Sequence, residues 1–295
     1  MSIHVLQNIK RAVGNLNPEH IRQHTERPLR IFLYADAEND YRQMEEFFVP
    51  RDLSPAKRNQ LKHRVYRASE GFSPESRGDL EIYYKDQYGD LGLKHAFGFS
   101  PGDPDRLVND VLRRRPELAI PLALHAMPFR HEVSRRIVKK VARENALFAL
   151  ATAVPDIIPF ISLPWAIGEF ASDTAVLTAN QIRMAFLLAA ANDRDIGYRE
   201  QRAEIGTIIM GAFGWRALAR ELVGKIPLGG GLIPKAAIAY AGTRVAGMSL
   251  ERYYRVGRSY TREERRQAYE EALERGKRIA TLLLERFREG ARAET

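Results

Sequence analysis

From Ala146 to Asn192 the only charged side chains are Asp156, Glu169, Asp173 and Arg183, and three prolines, Pro155, Pro159 and Pro164, interrupt the run. So long an apolar stretch must be taken out of water, either by lipid or by the centre of a large bundle. Proline removes a helical hydrogen bond and clashes with the preceding turn, so the stretch cannot form one straight helix. The expected form is a hairpin: one helix ending near Val154, the turn PDIIPFISLP, and a second helix from about Trp165 to Ala191. A membrane span needs roughly 20 apolar residues. Ala146 to Val154 is too short, and Trp165 to Ala191 reaches that length only by including Glu169, Asp173 and Arg183. Shallow insertion is therefore expected ahead of clean spanning, with Phe160 and Trp165 as interfacial anchors. Asp156, Glu169, Asp173 and Arg183 are expected as buried charges that pair within the bundle. The simpler alternative has Asp156 capping a turn and Asp173 opening the exposed side of a helix.

The segment just before this run is basic. Arg135, Arg136, Lys139, Lys140 and Arg143 follow Arg130 and are opposed only by Glu132 and Glu144. Val133, Ile137, Val141 and Phe148 recur at helical spacing beside them, so Arg130 to Val154 reads as a helix with an apolar face and a cationic one. A polybasic helix next to an apolar segment has the arrangement that attracts anionic headgroups. The five cations from Arg135 to Arg143, with Phe160 and Trp165, form the expected lipid contact. The whole chain of 295 residues has 46 Lys and Arg against 37 Asp and Glu, a formal charge of +9, which also favours an anionic partner surface.

Further along, helices are expected at about Arg199 to Gly224, Leu232 to Val256 and Arg262 to Glu289. The last is opened by the capping box Thr261-Arg-Glu-Glu264 and carries the stripe Ala268, Ala272, Ile279 and Leu283. Before Arg130 the texture is different. Arg30 to Tyr34 and Leu80 to Tyr84 read as strands. Asp40 to Val49 and Ser54 to Ala68 read as helices, the latter with Ser54-Pro55 at its start. Gly89 to Pro104, rich in Gly and Pro, reads as a loop, and Asp105 to Ala126 as helical. Met1 to Asn17, with Ile3, Leu6, Ile9, Val13 and Leu16, reads as an amphipathic helix docked on its own domain, with a surface anchor as the alternative. It lacks the continuous apolar core of a secretory signal. The expected organisation is a small α/β region over residues 1–104, a helical connector over 105–129 and a mostly α, multi-helix domain over 130–295 built around the apolar hairpin.

Three of these segments carry a resemblance: ARENALFALATAVPDIIPFISLP (Ala142 to Pro164), LTANQIRMAFLLAAA (Leu177 to Ala191) and the stretch from Phe213 to Gly247. Together they resemble the helical domain of the bacterial YcjF-type inner-membrane proteins, a domain that also follows Era-type and dynamin-like GTPase domains. The resemblance covers about residues 130–287. It implies a membrane-associated module of no assigned activity, accessory to a GTPase or to another membrane process, at the inner membrane or its cytoplasmic face; a cytoplasmic location is the alternative.

Catalytic constellations are lacking in the sequence itself. Absence of cysteine excludes disulfides, thiolate chemistry and Cys-ligated zinc. After the strand RIFLY comes Ala35-Asp36-Ala37-Glu38-Asn39-Asp40, acidic where a phosphate loop needs glycine and lysine, and no guanine-reading Asn-Lys-x-Asp follows. Asp86-Gln-Tyr-Gly89 matches only the four-residue switch pattern of such domains. His20 and His24 share helical spacing without the glutamate of a zinc-hydrolase helix, and no serine sits in a nucleophile elbow. Gly229-Gly230-Gly231 ahead of Lys235 reads first as a flexible break with close helix packing, and otherwise as an anion site. The chain is thus expected to be a non-enzymatic protein without catalytic, cofactor-binding or metal residues. Membrane lipid is its expected partner, a soluble adaptor role with a protein partner is the alternative, and nucleic acid and small-molecule substrates are disfavoured.

Overall fold

The computed structural model describes residues 7, 14, 16–25, 27–68, 78–89, 95–152, 173–211 and 231–293. Its fold is mostly α with a small parallel sheet. The contacts divide the chain into two compact units: His20–Ser134 with Ala190–Asp193, and Arg135–Ala189 with Arg194–Thr295 and Met1–Glu19.

The first unit is built on four parallel strands, β1 (Ile31–Tyr34), β2 (Val65–Arg67), β3 (Leu80–Tyr84) and β4 (Ala96–Phe99), in the spatial order β2-β1-β3-β4. Register is set by Ile31 opposite both Val65 and Leu80, and by Glu81 opposite Ala96. All five residues of β3 are buried, the signature of a strand covered on both faces in a parallel sheet. Parallel neighbours need crossover connections. The first is supplied by α2 (Glu38–Phe48) and α3 (Pro55–Lys62), which follow α1 (Pro18–Thr25). Ser54 caps α3 by accepting from the Lys57 N–H at 3.3 Å, with Pro55 in the first turn. The chain turns at His63 and Arg64 and enters β2, so the expected helix from Ser54 to Ala68 stops at Lys62 and its last residues pair with β1.

α4 (Lys85–Tyr88) is a single turn that follows β3. β4 lies inside the stretch expected to be a loop. Its sequence Ala-Phe-Gly-Phe hides a strand because Gly98 sits beneath a ring: a Cβ there would lie 3.2 Å from Tyr83 Cε2 and 3.3 Å from Lys85 Cβ. The glycine is a close approach rather than a break. Next, α5 (Pro104–Arg114) is capped by Asp103, which accepts from the Arg106 N–H at 3.3 Å. It buries Leu107, Val108, Val111 and Leu112 on one face, and Arg114 donates to the Ala96 carbonyl at 2.7 Å while covering the Phe97 ring. A short 3-10 turn, α6 (Ala119–His125) and the start of α7 (Met127–Ala151) complete the unit. Phe129 meets Phe47 and Phe48 of α2 at ring-centroid distances of 6.4 and 6.3 Å.

The second unit contains the rest of α7, then α8 (Asp173–Ala191), α9 (202–211), α10 (Leu232–Val256) and α11 (Arg262–Ala293). Thr261 and Glu264 form the expected reciprocal cap, each side chain accepting the other's N–H at 3.2 and 2.8 Å. The stripe on α11 packs as expected. Ala268 and Ala272 meet Ala237, Ala241 and Val245, while Ile279 and Leu283 meet the cluster of Ala142, Ala146, Ala236 and Tyr240. Small residues dominate these contacts, which brings helix backbones close enough that side chains of ordinary size do not fit. The expected turn of the hairpin, and with it Asp156, Phe160, Trp165 and Glu169, lies outside the described residues, as does nearly all of the amphipathic segment Met1 to Asn17 and Gly229-Gly230.

Candidate functional site

α8 carries the described C-terminal part of the apolar run. Thr174–Ala191 has a mean hydropathy of 1.3 over 18 residues, making it the one helix among the described residues long and apolar enough to cross a membrane, yet 78% of it is buried by the protein. Its polar side chains are also spent inside the bundle. Asn180 donates to Asn145 Oδ1 at 2.7 Å, Asn145 donates to Thr243 Oγ1 at 2.7 Å, and Gln181 donates to the same hydroxyl at 3.1 Å. Three helices are thereby joined through a water-poor centre, where each amide finds a partner. Arg183 Nε donates to Asn180 Oδ1 at 3.0 Å, and its guanidinium pairs with Glu144 of α7. Only the backbone of Asp173 is described. Lys235, at the start of α10, donates to Thr152 Oγ1 at 3.0 Å.

The expected lipid-contact cations lie together. On α7, Arg135, Lys139, Lys140 and Arg143 are exposed and Arg136 is half-buried, whereas Val133, Ile137, Val141 and Phe148 are buried. Spacings of three and four residues place the five cations on one side of about two and a half turns. Over that length the helix shows solvent a surface whose charge is almost wholly positive.

A second candidate is the crevice at the carboxyl ends of β1 and β3. The chain leaves β1 toward β2 on one side and β3 toward β4 on the other, and such switch points are where open parallel sheets bind ligands. Here the crevice is acidic and bridged. Gln87 accepts from the Asp36 N–H at 3.1 Å and donates to Asp40 at 2.8 Å, while the Tyr88 hydroxyl donates to Asp36 at 2.8 Å. Burial and that hydrogen bond push the Tyr88 phenol up to about 12. Beside it Glu38 pairs with Arg67 and Arg42, which hold its carboxyl below the usual range. The four-residue switch pattern is thus a helical turn, ended by Gly89 at φ +67°, that carries two clamps for the β1 loop. Carboxylates stand here at the place where nucleotide phosphates bind in such sheets.

A third is a cleft of about 1150 Å³ beside α9, α10 and α11, with Ile208, Met210, Leu250 and Tyr253 on its walls and Arg262 and Arg266 at its rim. Met210 and Tyr253 are exposed there. Among the described residues no group of three or more His, Asp or Glu is placed to hold a metal ion.

His125, which the sequence does not single out, ends α6 with 6% of its surface exposed and no hydrogen bond to either ring nitrogen. Burial, helped by Arg64 and Lys57, lowers its pKa from 6.5 to about 4. The unfolded chain therefore binds a proton that the folded one refuses, so stability is complete above pH 6.5 and falls as the pH drops toward 4. The expected loss from this residue is about 2–3 kcal/mol. Denaturant titrations of wild type and His125→Gln across that interval should show the variant losing less; parallel curves would assign the acid sensitivity to other groups.

Compared with family models, curated proteins and solved structures, the chain finds no match.

Proposed function

We propose that this chain is a non-enzymatic, membrane-associated helical module that rests on an anionic lipid surface through the cationic side of α7, in support of a GTPase or another membrane process. The observation that carries the reading is the concentration of Arg135, Arg136, Lys139, Lys140 and Arg143 on one side of a helix whose other side is core. Each cation near an anionic surface contributes roughly 1 kcal/mol, so five give binding that salt screens. Burial of α8 argues for contact from one side ahead of spanning: its apolar face and its amides already have protein partners. Phe160 and Trp165, in the adjoining apolar sequence, would add insertion to attraction. The reading places the protein at the cytoplasmic face of the inner membrane, and the resemblance to YcjF-type domains is consistent with it.

Flotation on phosphatidylcholine vesicles with and without phosphatidylserine is the test. Wild type should float only with the anionic vesicles, less at high salt, and replacing all five cations with glutamine should reduce binding by about tenfold or more. Equal flotation of both proteins rejects the electrostatic step. A second reading, a soluble adaptor, is favoured by the exposed apolar wall of the cleft at Met210 and Tyr253. Recovery of the protein in the soluble fraction of its own cells, with no flotation on anionic vesicles, would support it instead.

A further inference from the structure

One cluster in the sheet-bearing unit takes no part in either reading. Lys57 comes from α3, Arg64 from the turn before β2, His125 from the end of α6 and Arg130 from α7. Two of them, Lys57 and Arg130, meet a single carboxylate. Asp193, in the tight turn after α8, has φ +57° and accepts from Lys57 Nζ at 2.7 Å, with the Arg130 guanidinium at 3.5 Å. Arg130 is held in place by the carbonyls of Ala123 and Leu124, at 2.9 and 3.2 Å. Arg64 and Lys57 act on the His125 ring from one sign and Asp193 from the other, so all five groups share one neighbourhood.

Two features show that the carboxylate alone underfills this neighbourhood. Its charge of −1 meets two permanent cations, Lys57 and Arg130, while a third, Arg64, acts on the neighbouring His125 ring. Buried polar atoms also lack partners: Arg64 Nε has none, and neither nitrogen of the imidazole has one. Buried polar groups without partners are uncommon and destabilising. A planar carboxylate offers two oxygens, whereas a tetrahedral oxyanion offers three or more acceptors and up to twice the charge. Guanidinium, ammonium and neutral imidazole together are donors suited to such a group.

We propose that Lys57, Arg64, His125 and Arg130 form a phosphate-binding socket in which Asp193 is a resident anion that a phosphate-bearing ligand displaces. Binding is then a competition. The ligand must outbid a tethered carboxylate, and its arrival releases the turn that carries Asp193 from Lys57 and Arg130. The socket uses none of the five cations of the α7 stripe, so it stands or falls separately from the proposed lipid contact.

Inorganic phosphate, titrated against the full-length protein at constant ionic strength with chloride as the control, is the first probe, read by thermal shift and by phosphorus NMR line width. Asp193→Asn keeps the size of the side chain and tolerates positive φ, so the turn is retained while the competing charge is removed. It should bind phosphate at least tenfold more tightly than wild type, and adding Arg64→Gln should abolish the gain. In the wild-type background Arg64→Gln should weaken the phosphate-induced thermal shift, a readout that holds even if the Asp193 variant folds poorly. Equal phosphate affinity in wild type and Asp193→Asn, or a gain that survives Arg64→Gln, overturns the proposal. Glycerol phosphate and vesicles containing phosphatidic acid then separate the two sources of the group: tightening with the soluble ester alone assigns a free ligand, and tightening with both assigns a headgroup.

Discussion

Asn145→Leu is expected to lower the unfolding free energy by about 3 kcal/mol, although leucine is close in size and more apolar than the residue it replaces. The cost arises in the partners. Asn180 Nδ2 loses the Asn145 Oδ1 acceptor at 2.7 Å, and the Leu177 carbonyl and the Thr243 hydroxyl lose a donor. Asn180 and Thr243 are both buried, so water does not replace what is lost. Removing the orphaned group together with its partner should be cheaper than the sum of two separate removals. Asn145→Leu combined with Asn180→Leu is accordingly expected to be at least about 1 kcal/mol better than additive, leaving Arg183 on its Glu144 partner. Chemical denaturation of the two single variants and the double one measures this, and strict additivity would show that the amides do not act as a network.

Gly276→Val is expected to cost about 3 kcal/mol, the upper end for overpacking a core. A Cβ at Gly276 of α11 would lie 2.8 Å from the Ala237 carbonyl oxygen, 3.0 Å from Ala237 Cα and 3.2 Å from Tyr240 Cδ1. Backbone atoms of α10 cannot rotate aside, so the two helices must separate and release contacts along the whole Ala237, Ala241 and Val245 face. Gly206→Ala, in α9, runs the opposite way. Its Cβ meets nothing within 4 Å, so the gain in helix propensity of about 1 kcal/mol should appear as added stability. Thermal unfolding of the two variants should therefore move in opposite directions, and a shift of the same sign in both would contradict the packing described here.

Periodicity revealed the helical unit because its helices are long. Leu232 to Val256 is found to the residue, and the Thr261 to Glu264 box and the Ala268, Ala272, Ile279 and Leu283 stripe do what their spacing suggests. The sheet was half legible. Arg30 to Tyr34 and Leu80 to Tyr84 contain the central strands, rich in aliphatic and aromatic residues, whereas β2, of three residues, and β4, interrupted by Gly98, sit at the edges. A run that short has no measurable period, and Gly98 disguised the second of them. The cationic side of α7 was readable because i,i+4 spacing puts charges on one face. Asp193 and His125 were not, since the cluster joins residues up to 136 positions apart and only the folded chain brings them together. The burial of α8 was not legible either, because apolarity alone does not distinguish lipid from a protein core; the amides of Asn180 and Gln181 have partners on Asn145 and Thr243 that only the folded chain brings beside them.

The order in which the partners of α8 are synthesised gives that helix a history. Gln181 finds its hydroxyl partner on Thr243, 62 residues later in the chain. At a translation rate of roughly 5–20 residues per second, α8 waits about 3 to 12 seconds after leaving the ribosome before that part of its enclosure exists. During the wait, its 18-residue apolar window is, among the described residues, the one helix that targeting factors and chaperones could take for a membrane span. A helix hidden in the finished bundle is thus conspicuous at birth, and whether it is first met by a chaperone or by an insertion machine is set by kinetics rather than by its final packing.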